Sequence, residues 1–132
     1  MTASIVGSWR TTVTIDGAHH INLTTFSSDG VVLNVFSSPL VAPSGSTHKL
    51  EYFTTAFGAW REAQSGSVDL TFETLGVDES GNPVGSHVIS ATVAVATDGA
   101  SFSGRFTVAI LDPTGNQVAS ISGTVEAIRI AP

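Results

Sequence analysis

His87 is the side chain of this sequence with the chemistry best suited to moving a proton. It stands on the apolar parity of an alternating run, just after Gly85-Ser86. An imidazole there lies inside whatever the run encloses, near one rim. With an ordinary pKa of about 6.5 it can act as a general acid or base. The plainer reading is a rim histidine bonded to water or backbone. Tyr52 could bring a second hydroxyl to the same mouth; its plainer reading is an aromatic with a wet tip at a rim. The adjacent pair His19-His20 invites a metal reading, but neighbouring strand residues point to opposite faces. No second histidine cluster supports such a site, and none is expected. A Ser/His/Asp arrangement would be spatial rather than sequential, and no Gly-x-Ser-x-Gly elbow supports one. Asp69 and Glu73 share a face opposite Val68, Leu70 and Phe72, as solvated charges do.

The apolar residues outnumber these polar candidates. Trp60, Phe72, Phe106 and Val108 share an inward parity with Gly58, Leu70 and Gly104. With Ile89, Phe53 and Leu23 they would form the wall of a site for one mostly apolar molecule. The competing reading is plain core filling, because interiors are close-packed. Gly58, Gly104 and Gly123 carry no side chain, so they either leave room inside or mark bends in the wall.

The elements that must position these residues are short alternating runs. Ile5, Gly7, Trp9, Thr11, Val13 and Ile15 share one face of the first, which ends at Asp16-Gly17. The runs His20 to Phe26 and Val31 to Phe36 are joined by Ser27-Ser28-Asp29-Gly30, and their inward parity is ambiguous. Residues 37–48 hold Pro39, Pro43, Gly45 and four serines, and form the one long irregular connection; they are expected to be a flap over a mouth. Leu50, Phe53 and Phe57 have helical spacing, but over too short a window to separate a helix from an extended strand leading into Gly58-Ala59-Trp60. The second half alternates regularly, with turns at 78–83, 97–99 and 112–116. Eight sequence-adjacent strands and no covering helix predict an all-β fold: a single eight-stranded antiparallel up-and-down β-barrel over residues 1–132. Closure removes the two long edges that an open sheet would expose. A two-sheet sandwich is the structural alternative.

Composition narrows the partners. Of 132 residues, 42% are apolar and only 12% charged, which excludes the disordered class. The net charge is −6, and Arg10, Lys49, Arg61, Arg105 and Arg129 do not cluster. No nucleic-acid partner and no polybasic membrane contact are expected. There is no cysteine. No apolar run approaches membrane-spanning length. Met1-Thr2-Ala3-Ser4 leads into strand-like sequence without a secretory pattern, so a cytoplasmic location is expected. The Ser/Thr-rich outer parity allows a homodimer.

Gly7-Ser8-Trp9 on the first strand and Arg129 on the last resemble the ends of the calycin superfamily (lipocalins, fatty-acid-binding proteins, avidins). That resemblance implies a structural role for Trp9 and Arg129, packed together across the closed end of a barrel. The whole chain more closely resembles small lipocalin-like barrels of actinobacteria. The pieces that carry this are Gly7-Ser8-Trp9, Thr25-Phe26 before Asp29-Gly30, Gly58-Ala59-Trp60, Thr71-Phe72, residues 78–82, Phe102-Ser103-Gly104 and Gly123-Thr124-Val125 through Arg129-Ile130. Related barrels include cofactor-free cyclases of polyketide pathways, similar to this chain in size and architecture. The expectation is a barrel holding one apolar small molecule without a cofactor, as a cyclase or isomerase of natural-product biosynthesis. The alternative is a non-catalytic carrier of a hydrophobic ligand.

Overall fold

A computed structural model describes residues 4–37, 39–63 and 65–132. Met1-Thr2-Ala3 of the sequence start and Ser38 of the irregular segment lie outside the described residues. The strands are β1 (Gly7–Ile15), β2 (Ala18–Phe26), β3 (Val31–Phe36), β4 (Leu40–Val41), β5 (Leu50–Phe53), β6 (Ala56–Glu62), β7 (Val68–Asp78), β8 (Pro83–Val95), β9 (Ser101–Leu111) and β10 (Gln117–Arg129).

Eight of them, β1, β2, β3, β6, β7, β8, β9 and β10, close into an antiparallel up-and-down barrel. The ring closes because β1 pairs with β10 (Trp9 opposite Arg129), while β7 pairs with β8 (Phe72 opposite Ile89). β4 and β5 are additions at one end. The expected closed barrel is the observed one, and no helix among the described residues is long and apolar enough to cross a membrane.

Turn chemistry sets the meander. Asp16 and Gly17 both have positive φ (49° and 80°), as a two-residue hairpin with strand-matched twist requires. At 78–83 and 112–116 an aspartate side chain organises the loop. Asp78 Oδ1 accepts from the Ser80 and Asn82 N–H groups, and Asp112 Oδ1 accepts from those of Thr114 and Asn116. Hydrogen bonds stabilise the ionised form and lower both carboxyl pKa values, led by the Asn82 N–H for Asp78 and by the Thr114 hydroxyl, then the Asn116 N–H, for Asp112.

The Lys49 to Phe57 stretch is extended rather than helical. It is one strand path broken at Thr54-Thr55, with both pieces paired to β7: Phe53 opposite Gly76, then Phe57 opposite Glu73. The break is tied down by Thr54 N–H to Leu75 O (3.0 Å) and by the Thr74 hydroxyl to Thr54 O (2.6 Å). On the other side, the β3–β6 ladder stops at Asn34 opposite Ala56. Beyond it β5 has β4 and β7 as its ladder neighbours, not β3. There the wall is made by the Phe36 and Phe53 rings, 5.7 Å apart between centroids.

One end is sealed. Trp9 is fully buried, donates its indole N–H to Ile5 O (2.9 Å) and meets Phe102 edge-on at 4.8 Å. The Arg129 guanidinium lies 4.2 Å from the Trp9 ring. It also donates to the carbonyls of Gly99, Val6 and Ser4 at 2.8, 2.7 and 2.6 Å. A cation–π contact of this kind contributes roughly 0.5–2 kcal/mol. Gly7 is required beneath it: its φ is +128°, and a Cβ there would sit 2.7 Å from the guanidinium. A first-strand tryptophan locked by a last-strand arginine in a closed barrel is consistent with a calycin-like fold.

The inward glycines do not create room. A Cβ on Gly58 would lie 1.9 Å from Thr71 O, and one on Gly104 2.0 Å from Thr92 O. These positions let adjacent strands coil tightly against each other.

Candidate ligand-binding lumen

Between the sealed end and the opposite rim lies a cavity of about 530 Å³. Its floor is Phe26 and Phe102, whose rings meet edge-on at 6.1 Å, with Phe102 in turn edge-on to Trp9. Strict alternation on β7, β8 and β9 turns Leu70, Phe72, Ile89, Phe106 and Val108 inward as its walls. These come from three adjacent strands joined by two ladders, in which Phe72 faces Ile89 and Ile89 faces Val108. Such a volume falls within the roughly 300–1,000 Å³ usual for small-molecule sites.

Two residues expected in the wall, Leu23 and Trp60, and one expected at the mouth, Tyr52, are elsewhere. Leu23 is 53% exposed on the outer face, opposite Val35. β2 turns Asn22, Thr24 and Phe26 inward, so Leu23 between them must point out. Trp60 faces in but belongs to the sealed end: its indole N–H donates to Ser27 O (2.9 Å) and its ring meets Phe26 edge-on. Tyr52 lies on the outer face beside Val77, because Phe53 next to it turns in. The Tyr52 hydroxyl is therefore not at the lumen.

His87 does line the lumen, near its open end. It also borders a smaller recess of about 210 Å³ shared with Phe53, Glu51 and Leu40. The Phe53 ring covers the imidazole at 4.7 Å between centroids. Burial holds the His87 pKa below its ordinary value of 6.5, and nearby Glu51 opposes that shift only in part. Both the direction of the shift and its cause, burial, favour the neutral imidazole, in which one ring nitrogen is an acceptor. Glu51 is itself bonded to His48 Nε2 at 2.8 Å. His19 and His20 both reach the rim at the end of the β1–β2 hairpin, where His19 Nδ1 pairs with the Thr14 hydroxyl (2.9 Å). Residues 37–48 contribute Ser37 and Leu40 to the same rim.

The lumen also carries a polar cluster that the sequence reading did not single out. Thr11, Asn22, Thr24 and Asn34 are all at least nine-tenths buried. Asn34 Nδ2 donates to Asn22 Oδ1 (3.1 Å) and to Thr24 Oγ1 (2.7 Å). Thr11 Oγ1 contacts Asn22 Oδ1 and lies 3.2 Å from Thr24 Oγ1. The available signal was parity: Thr11 alternates with Trp9 and Val13, and Asn22 and Thr24 alternate with Phe26. Polar residues on the apolar face of a strand must find partners inside.

No family model, curated protein or solved structure matches the chain. Fold alone does not give function, so the reading rests on the lumen.

Proposed function

We propose that the barrel takes up one mostly apolar small molecule in its lumen. The observation that carries this is a cavity of about 530 Å³, walled by Leu, Ile, Val and Phe side chains and bordered by none of the five basic or eleven acidic residues. An apolar guest gains by leaving water, at about 25 cal/mol per Å² of its surface. The closed-barrel geometry and the Trp9–Arg129 seal also support kinship with lipocalin-like carriers. The test is uptake of Nile red, a neutral apolar dye that brightens when desolvated. Wild-type protein should bind it with 1:1 stoichiometry. Ala91→Trp, which places an indole in the lumen between Leu70 and Phe106, should lower affinity at least about tenfold, in line with the loss of a buried apolar contact area. Leu23→Thr on the outer face should leave it unchanged. The opposite pattern would assign dye binding to the outer surface and end this reading.

His87 favours a second reading, a cofactor-independent isomerase or cyclase acting on the held molecule. A neutral imidazole at the wall can accept a proton from a guest, and folding a flexible substrate inside a shaped cavity lowers a cyclisation barrier by several kcal/mol. If so, the molecule recovered from wild-type protein should differ in structure, at equal mass, from the one recovered from His87→Gln expressed in the same host. Identical molecules, resolved chromatographically, would leave carriage alone.

A further inference from the structure

At its open end the lumen runs on into the smaller recess of about 210 Å³, with which it shares Leu40, His87 and Ile121. The two spaces differ in charge. No basic or acidic side chain borders the lumen, whereas Glu51 borders the recess among apolar neighbours such as Val84, Ile110 and Leu111. The Glu51 side chain is only 12% exposed, and His48 Nε2 donates to its Oε2 at 2.8 Å. A carboxylate has about four acceptor sites, so most of its capacity is unused. Ser86, a buried residue, and His87 border the same recess. Glu51 Oε1, Ser86 Oγ and both ring nitrogens of His87 make no hydrogen bond among the described residues. None of them is sealed off, since the one inaccessible side-chain oxygen or nitrogen without a partner there is Asn34 Oδ1. Polar groups this far inside a protein almost always have a partner, and here a ligand can supply it.

We propose that this recess seats the cationic head of the guest, a protonated primary amine, while the guest's apolar body extends into the lumen. This rests on the reading that the lumen takes up a mostly apolar molecule, and names its polar end. An ammonium has three donors and no acceptor, which matches the acceptors Glu51 Oε1, Ser86 Oγ and a neutral His87 nitrogen. The Phe53 ring at the same recess adds a face that attracts cations. The wider field agrees. The turns and strap of this end carry Asp16, Glu51, Asp78, Glu79 and Asp112 against Lys49 alone. Arg10, Arg61 and Arg105 are exposed outside, and Arg129 is committed to the sealed end. An ionised carboxylate would meet Glu51 with no cation bordering either space, and a buried anion without one is strongly disfavoured. A hydroxyl head, with one donor and no charge, ranks between the two.

The experiment compares decylamine, decanol and decanoate as displacers of Nile red, below micelle-forming concentrations. The pH is about 8, where an alkylamine is protonated, a carboxyl ionised and an ordinary histidine neutral. On wild-type protein decylamine should displace the dye at about tenfold lower concentration than decanol, as a hydrogen bond to a charged group allows. Decanoate should be the weakest of the three. In Glu51→Gln the amine-to-alcohol preference should fall to about one. Asp16→Asn is the control: it removes a charge from the same end, and asparagine accepts the positive φ held there. That variant should change the preference less than about twofold. Should Glu51→Gln fail to fold, the ring nitrogen resonances of His87 in the wild type decide, moving with decylamine and not with decane. Equal displacement by decylamine and decanol, a preference that survives Glu51→Gln, or His87 resonances that stand still would each overturn the proposal. Equal losses in Glu51→Gln and Asp16→Asn would assign the preference to the general field of this end and overturn it too. Absence of Nile red binding to the wild type would instead remove the underlying reading of the lumen, and this proposal with it.

Discussion

At the residue scale, His87 makes the protein sensitive to mild acid. Its pKa in the fold lies below the ordinary 6.5, chiefly because burial disfavours the charged ring. The unfolded chain therefore takes up a proton that the folded chain resists. The stability associated with neutral His87 is complete above about pH 6.5 and is lost as pH falls from there through the lower folded value. Asp78, Glu79 and Asp112 are also lowered, each by hydrogen bonds to its carboxylate. Their contributions persist until pH falls below about 4. Melting temperature should thus decline in two steps on acidification. In His87→Gln the step beginning near pH 6.5 should be missing while the lower one remains. An unchanged upper step in that variant would show that the imidazole is not the group concerned. His87 was legible in sequence because its position on an apolar parity is a purely local fact. Leu23 was not, because β2 offers Ile21 and Leu23 on one face against Asn22, Thr24 and Phe26 on the other. Hydrophobicity alone favours the wrong face there. What decides is that the side chains of Asn22, Thr24, Thr11 and Asn34 hydrogen-bond to one another inside.

At the scale of the strands, close backbone approach sets the curvature of the wall. Gly104 faces Val93 across the β8–β9 ladder, and an added Cβ would fall 2.0 Å from Thr92 O and 2.7 Å from Val93 Cα. Backbone cannot step aside as a flexible side chain can. Gly104→Ala should therefore destabilise by more than about 2 kcal/mol, as overpacking in a well-packed interior does. Gly115→Ala is the control. It has nothing within 4 Å of the added atom but a φ of +90°, and should cost only about 1 kcal/mol. Urea unfolding of the two variants checks the ranking, and equal losses would mean that the ladder relaxes around the methyl group. The turn signals were legible because Asp-Gly and Gly-Asn pairs act through local dihedrals and short side-chain bonds. The role of the inward glycines was not, since it depends on how near the neighbouring strand comes. The break at Thr54-Thr55 was equally hidden: both pieces are extended, and only their shared partner β7 shows them to be one path.

At the scale of the whole molecule, the closed barrel follows from sequence because eight adjacent alternating runs have few other ways to cover their edges. The lumen's occupant does not follow, because walls of Leu, Ile and Phe carry little information about shape until the strands are placed. The wall itself is uneven. Around most of its girth each strand is stitched to both neighbours by backbone bonds, but near the open end β3 and β5 are not ladder neighbours among the described residues, and the Phe36 and Phe53 rings meet there. Two rings can swing apart on the timescale of side-chain rotation, far faster than a ladder unzips. If the lumen holds a guest as proposed, its exit past these rings would unzip no β3–β5 ladder, so its residence time would be set separately from the resistance of the scaffold to denaturation. A variant made much harder to melt can still be quick to empty.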